Sequence, residues 1–130
     1  MKTLVVVDKK TRKIICLYFG NGKRHDFRMW KESMIRALEK ILINIDSGFQ
    51  GIHKFHENSV TPRKKSKKKP LTKEDKLYNR KASQERVGSE NAIGFIKRFK
   101  IVSERYRNRR KRFALRFSLI AGICNFELVA

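Results

Sequence analysis

The sequence predicts an α/β chain, and three observations carry that expectation. Two apolar, β-branched runs flank a polar turn within the first twenty residues; a helical period and a short apolar run follow up to residue 46; and a helical period governs nearly everything after residue 72.

Thr3 to Val7 and Ile14 to Phe19 are the two apolar runs, with Lys9-Lys10-Thr11-Arg12 between them, so the pair reads as a β-hairpin. Gly20-Asn21-Gly22 breaks the second strand. Asp26 is then placed to cap a helix carrying Phe27, Trp30, Met34 and Leu38 at spacings of three and four. Ile41-Leu42-Ile43-Asn44-Ile45 has the length and character of a buried strand, and Asp46 ends it.

Between Pro62 and Pro70 the composition changes abruptly: Arg63, Lys64, Lys65, Lys67, Lys68 and Lys69 surround the single Ser66. Such a cluster repels itself and cannot be buried, so the segment 61–71 reads as a solvated linker or insertion whose use is electrostatic. Thr72 with Asp75 has the pattern of a capping box and opens a long helix through Leu77, Val87, Ile93 and Ile96 to about Ser103. Gly88 and Gly94 each cost that helix ~1 kcal/mol against Ala, which would be explained if they marked close packing. A second helix is expected from about Asn108 to Leu128, burying Phe113, Phe117, Ile120, Ile123 and Cys124.

Among 130 residues, Lys and Arg number 33 against 12 acids, for a formal net charge of +21. That imbalance points to a polyanionic partner, because basic chains bind phosphate backbones by releasing condensed counterions. Hydrophobic residues make up 40% of the chain, enough to support a core, so charge and order are expected to be segregated along it. Cys16 and Cys124 lack the spacing of a redox or metal pair, and the apolar run Leu4 to Val7 is too short for a signal peptide, so a reducing cytoplasm, at the nucleoid, is the expected setting. The apolar stretch from Phe113 to Ala130 is interrupted by Arg116, Asn125 and Glu127, which favours a core-facing helix over a membrane span.

The candidate chemical residues are few. Arg86, Glu90 and Lys97 share a helical face, an acid between two bases. By spacing alone, Arg86 and Glu90 could equally form a surface ion pair. Asp46 at a strand end could be a ligand or a turn former. His53 and His56 lack a third metal-binding neighbour and are expected to be exposed loop residues. Gly20-Asn21-Gly22-Lys23 lacks the ending of a phosphate-cradling loop and reads as a turn. Arg105, Arg107, Arg109, Arg110, Lys111, Arg112 and Arg116, interleaved with Tyr106 and Phe113, form a basic stripe that can hold phosphates. No recognition helix for base readout is evident.

The stretch from Asn79 through Arg86, Glu90 and Gly94, continuing through Lys97-Arg98-Phe99 to Phe113, resembles the C-terminal part of DDE-type insertion-sequence transposases. That family carries a Tyr, Arg, Glu, Lys signature around its last catalytic acid; Arg86, Glu90 and Lys97 fit its last three places, and Ser83 stands in the Tyr place. Upstream, Ile43-Asn44-Ile45-Asp46-Ser47-Gly48-Phe49-Gln50-Gly51 resembles the strand that ends on the family's second catalytic Asp. The resemblance implies a partial ribonuclease H-like fold: residues 1–60 as part of the core, 61–71 as a basic insertion, and 72–130 as the closing helices. It implies Asp46 and Glu90 as metal-binding catalytic acids, Mg²⁺ or Mn²⁺ as the metal in full-length relatives, and Arg86, Lys97, the lysines of 64–69 with Arg63, and the 105–110 arginines as phosphate contacts on transposon-end and target DNA.

The first strand, with its Asp-Gly motif, is expected to be missing from this chain. Asp8, in the hairpin turn, is a poor substitute, and Asp26, in a His-Asp pair that recurs in the family, reads as a helix cap. The expectation is thus a truncated transposase, inactive alone, that pairs with an upstream-encoded segment or with itself. The alternative is a small basic nucleic-acid-binding protein with structural carboxylates. An in-frame or frameshifted upstream segment ending in Asp-Gly would separate the two.

Overall fold

The computed structural model describes residues 1–104 and 110–129. The chain is mixed α/β, with two small sheets and several helices, and it divides into two compact units. One unit joins residues 1–24 to 88–130; the other is residues 25–87.

In the first unit, β1 (Lys2–Val7) and β2 (Ile14–Gly20) form the expected antiparallel hairpin, in register from Lys2 opposite Gly20 to Val6 opposite Cys16. A bulge between Val6 and Val7 shifts the pairing so that Val7 meets Ile14. The turn is tied by Asp8, whose carboxylate accepts hydrogen bonds from the Lys10 and Thr11 amides and the Thr11 hydroxyl. The Thr11 hydroxyl is the main reason its carboxyl lies below the ordinary range. Arg12 completes the turn at φ 60°. Asp8 is thus a turn former, the role its place in the hairpin suggested.

The expected long helix is real but shorter. α2 (Lys73–Lys97) stops at Lys97, and a separate turn, α3 (Lys100–Ser103), follows. Phe99 is the break: it is extended, with φ −80° and ψ 114°, and half-buried against the core. Packing part of that ring against the core stabilises the break, at about 25 cal/mol per Å² of apolar surface buried. Gly88 and Gly94 do not mark close packing, because a Cβ at either would meet nothing within 4 Å.

α4 (Phe113–Glu127) follows a single 3₁₀ turn over Arg110–Arg112. Its inner side buries Phe113, Phe117, Ile120, Ala121 and Cys124 with Ile14 and Ile96. Phe19, Phe113 and Phe117 meet in a cluster of rings with centroids 5.5–5.9 Å apart. Ile123, expected on that side, is exposed, as are Leu115, Leu119 and Phe126. Apolar residues lie on more than one side of the helix, so periodicity could not single out its buried face. The Arg98 guanidinium stacks on Phe95 and Phe99 and pairs with Glu127, fixing the end of α4. Among the described residues no helix is long and apolar enough to cross a membrane.

In the second unit, α1 (Asp26–Ser33) ends earlier than expected. The Ser33 hydroxyl donates to the Trp30 carbonyl and accepts from the Ile35 amide, and Met34 turns left-handed at φ 55°. Met34 and Leu38 are consequently exposed, while Met29 is buried. The cap position belongs to His25, and Asp26 is the first helical residue. Of the expected strand at 41–45 only β3 (Ile43–Asn44) pairs, in parallel with β4 (Ser59–Val60), and Ile41 and Leu42 stay exposed.

Candidate functional site

Asp46 sits where β3 gives way to a 3₁₀ turn over Ser47–Phe49. Apolar burial puts it there. Ile45 before it, and Phe49 and Ile52 after it, are all buried, which pins the backbone on both sides and leaves the intervening Asp46 exposed. Backbone bonds from the Ile43 amide to Asn58 and the Ile45 amide to Val60 hold the strand end.

The Asp46 carboxylate is fixed in two directions. Its Oδ1 accepts from the Ser47 amide at 2.6 Å and from Nη1 of Arg86 at 2.8 Å. Burial pushes its carboxyl up, but the Ser47 amide and the Arg86 guanidinium outweigh that and hold it below the ordinary carboxylate range. It is therefore an anion at neutral pH, and neither bond occupies Oδ2. The Arg86 side chain is 20% exposed against 66% for Asp46, so the cation is the sheltered member of the pair.

Gly48 and Gly51 shape the turn beyond Asp46. A Cβ on Gly48 would lie 2.7 Å from Oδ2 of Asp26, so the Asp26 carboxylate occupies the space that a side chain there would need. Gly51 has φ +93°, a conformation that glycine adopts without strain. His56, expected to be exposed, is buried, and its ring Nε2 lies 2.7 Å from the Ile41 carbonyl, where it satisfies a backbone group left over by the short strand. His53 is exposed as expected.

Glu90 lies on α2, exposed, one turn beyond Arg86, and Lys97 is the last residue of the helix. Asp46 belongs to the unit of residues 25–87 and Glu90 to the other. Among the described residues no group of three or more His, Cys, Asp or Glu side chains converges to hold a metal ion.

The basic segment after Pro62 is ordered by its neighbours. The Arg63 amide donates to Oδ1 of Asn79 at 2.7 Å, and the Asn79 side-chain amide donates to the Arg63 carbonyl at 2.9 Å. Nη1 of Arg63 donates to Asp75 at 2.5 Å, and its guanidinium lies 4.5 Å from the Tyr78 ring centre. Asp75 also accepts from the Thr72 amide while Thr72 Oγ1 accepts from the Asp75 amide, the reciprocal capping expected of that pair. The Arg63 guanidinium is the first cause that brings the Asp75 carboxyl down to about 2. Lys64, Lys65, Lys67, Lys68 and Lys69 are exposed.

Arg105, Arg107 and Arg109 lie outside the described residues; Arg110 opens the 3₁₀ turn before α4, and Lys111 and Arg112 within it are exposed. The pairing of Arg86 with Asp46 across forty positions had no signal in the sequence, where Arg86 read as a neighbour of Glu90. The Asn79 and Tyr78 contacts to Arg63 had none either.

The family described as Transposase DDE domain matches residues 1–125. A probable transposase for insertion sequence element IS702 from Microchaete diplosiphon is 48% identical over 128 residues, which are 98% of this chain and 46% of that protein. The chain thus spans less than half the length of this curated relative. No solved structure matches. With a family match over residues 1–125 and 48% identity to an insertion-sequence transposase over nearly all its length, the chain belongs to the DDE transposase family of insertion sequences.

Proposed function

We propose that this chain is a DNA-gripping part of a DDE transposase that contributes Asp46 and Glu90 to a phosphodiester-cleaving centre and does not cut DNA alone. The observation that carries the reading is the Asp46 carboxylate, anionic and exposed at a strand end, with Oδ1 held by Arg86 and Ser47. A ligand carboxylate needs a fixed orientation, and a neighbouring guanidinium with a backbone amide supplies one.

The family's reaction, cleavage at a transposon end and joining of the freed 3′-hydroxyl to target DNA, depends on Mg²⁺ or Mn²⁺. Together with the rest of a family chain, the elements of this chain fit a partial ribonuclease H-like catalytic domain. Lys97 is suited to phosphate contact from the end of α2 while Arg86 orients Asp46, and the net charge of +21 supports nonspecific DNA binding.

Incubation of the purified chain with transposon-end duplex and Mn²⁺ should give no nicking, and calorimetry should detect weak Mn²⁺ binding in one site at best. Nicking abolished by both Asp46→Ala and Glu90→Ala, or two tight metal sites, would overturn the proposal of inactivity. Binding to duplex DNA should fall by orders of magnitude between about 50 and 200 mM salt. Salt-independent affinity would count against the DNA-gripping role.

A further inference from the structure

We propose that residues 64–69 form a pre-folded lysine finger that grips the phosphate backbone of duplex DNA, and that Arg63 holds the finger in place instead of touching DNA. The inference rests on the reading above that DNA is the partner.

Five lysines repelling one another would, in a plain linker, remain an extended, fluctuating coil. Here the tip is closed: the Ser66 amide donates to the Lys69 carbonyl at 3.2 Å, and the Lys69 amide donates back to the Ser66 carbonyl at 3.3 Å and to Ser66 Oγ at 3.0 Å. The base is closed as well. Asn79 grips both backbone groups of Arg63, and Asp75 binds the Arg63 guanidinium and the Thr72 amide at once, so one carboxylate ties the two ends of the segment together. The Tyr78 ring supports the guanidinium from its face.

This arrangement separates two kinds of cation that looks alike in sequence. Arg63 has its charge met by Asp75, whereas the lysines carry theirs on an exposed turn. Ordering the turn before binding removes part of the conformational cost of presenting several cations to a row of phosphates. Asp75, an acid in a basic protein, then favours DNA binding although its charge opposes it.

That sign gives the test. Asp75→Asn raises the net charge by one, so charge alone predicts tighter binding. The finger requires the reverse: affinity for a duplex of arbitrary sequence, read by fluorescence anisotropy at low salt, should fall by about tenfold through lost loop order. Replacing Lys64, Lys65, Lys67, Lys68 and Lys69 together with Gln should lower the salt slope by about 4–5. Arg63→Ala should weaken binding with little change in that slope, where a direct phosphate contact would cost about 0.9 of it. Asn79→Ala changes no charge and should weaken binding in the same way, which keeps the test decisive if Asp75→Asn disturbs α2, as circular dichroism would reveal.

Asp75→Asn that folds and binds as tightly as the parent or tighter, or five Lys→Gln changes that leave binding unaltered, would overturn the finger while leaving DNA as the partner. No binding by the parent at low salt would overturn both.

Discussion

Asn125 and Asn79 use the same device in different settings. Asn125 accepts from the Ile14 amide and donates to the Ile14 carbonyl, each at 2.8 Å, and so welds α4 to the start of β2 in a half-buried place. Asn79 does the same to Arg63 at 2.7 and 2.9 Å on an exposed surface. The first adds to a unit already held by apolar burial, the Phe19, Phe113 and Phe117 rings and the residues around Ile14 and Ile96. The second belongs to a unit whose loops are held by polar contacts: His56 and Asn58 on the carbonyls of Ile41 and Lys40, Gln50 on Pro62, Arg86 on Asp46 and Arg63 on Asp75. Identical bonds should therefore differ in worth, because an orphaned backbone group costs more when water cannot reach it.

The largest effect should come from the apolar unit. Phe117→Ala is expected to cost about 3–5 kcal/mol in urea unfolding, by cavity formation. Leu119→Ala on the exposed side of the same helix should stay within about 0.5 kcal/mol, and a comparable loss at both positions would show that the two faces of α4 are equally covered. Ile52→Ala is the matching change in residues 25–87, where Ile52 is wholly buried, and about 2–4 kcal/mol is expected. A negligible loss there would mean that polar contacts alone hold that unit.

The two asparagines give the next contrast. Asn125→Ala should cost about 1–3 kcal/mol and speed hydrogen exchange at the Ile14 amide, whereas Asn79→Ala should cost about 0.5–1.5 kcal/mol with faster exchange at Arg63. Equal costs would remove burial as the cause of the difference.

The smallest effect is on acid stability. The Asp75 carboxyl is lowered from 3.8 to about 2, so the folded chain holds that proton less tightly than the unfolded chain. Its contribution is fully present above pH 3.8 and is lost as pH falls through about 2. Carboxyl NMR shifts should place the Asp75 midpoint near 2, and Arg63→Ala should move it back up; an unmoved midpoint would show that the guanidinium is not its cause.

Much of this was legible where the controlling interactions are local. The hairpin follows from two apolar runs around a polar turn that Asp8 closes upon itself, and the Thr72 and Asp75 capping box is a matter of three residues. The basic segment announced itself by composition. Helix lengths were overestimated for reasons that are not local. Ser33 ended α1 through its own hydroxyl, and Phe99 ended α2 because its ring joins the core.

The sequence by itself determined the class of the chain and its family, because periodicity and motif spacing are properties of neighbouring residues. Tertiary structure alone decided that Arg86 turns to Asp46, that His56 is buried, that one face of a largely apolar helix is covered, and that Arg63 is tied to Asp75 while the lysines beside it are exposed. Each of these choices joins groups far apart in the chain or distinguishes chemically similar side chains by their surroundings, and burial and hydrogen-bond geometry exist only once the chain has folded.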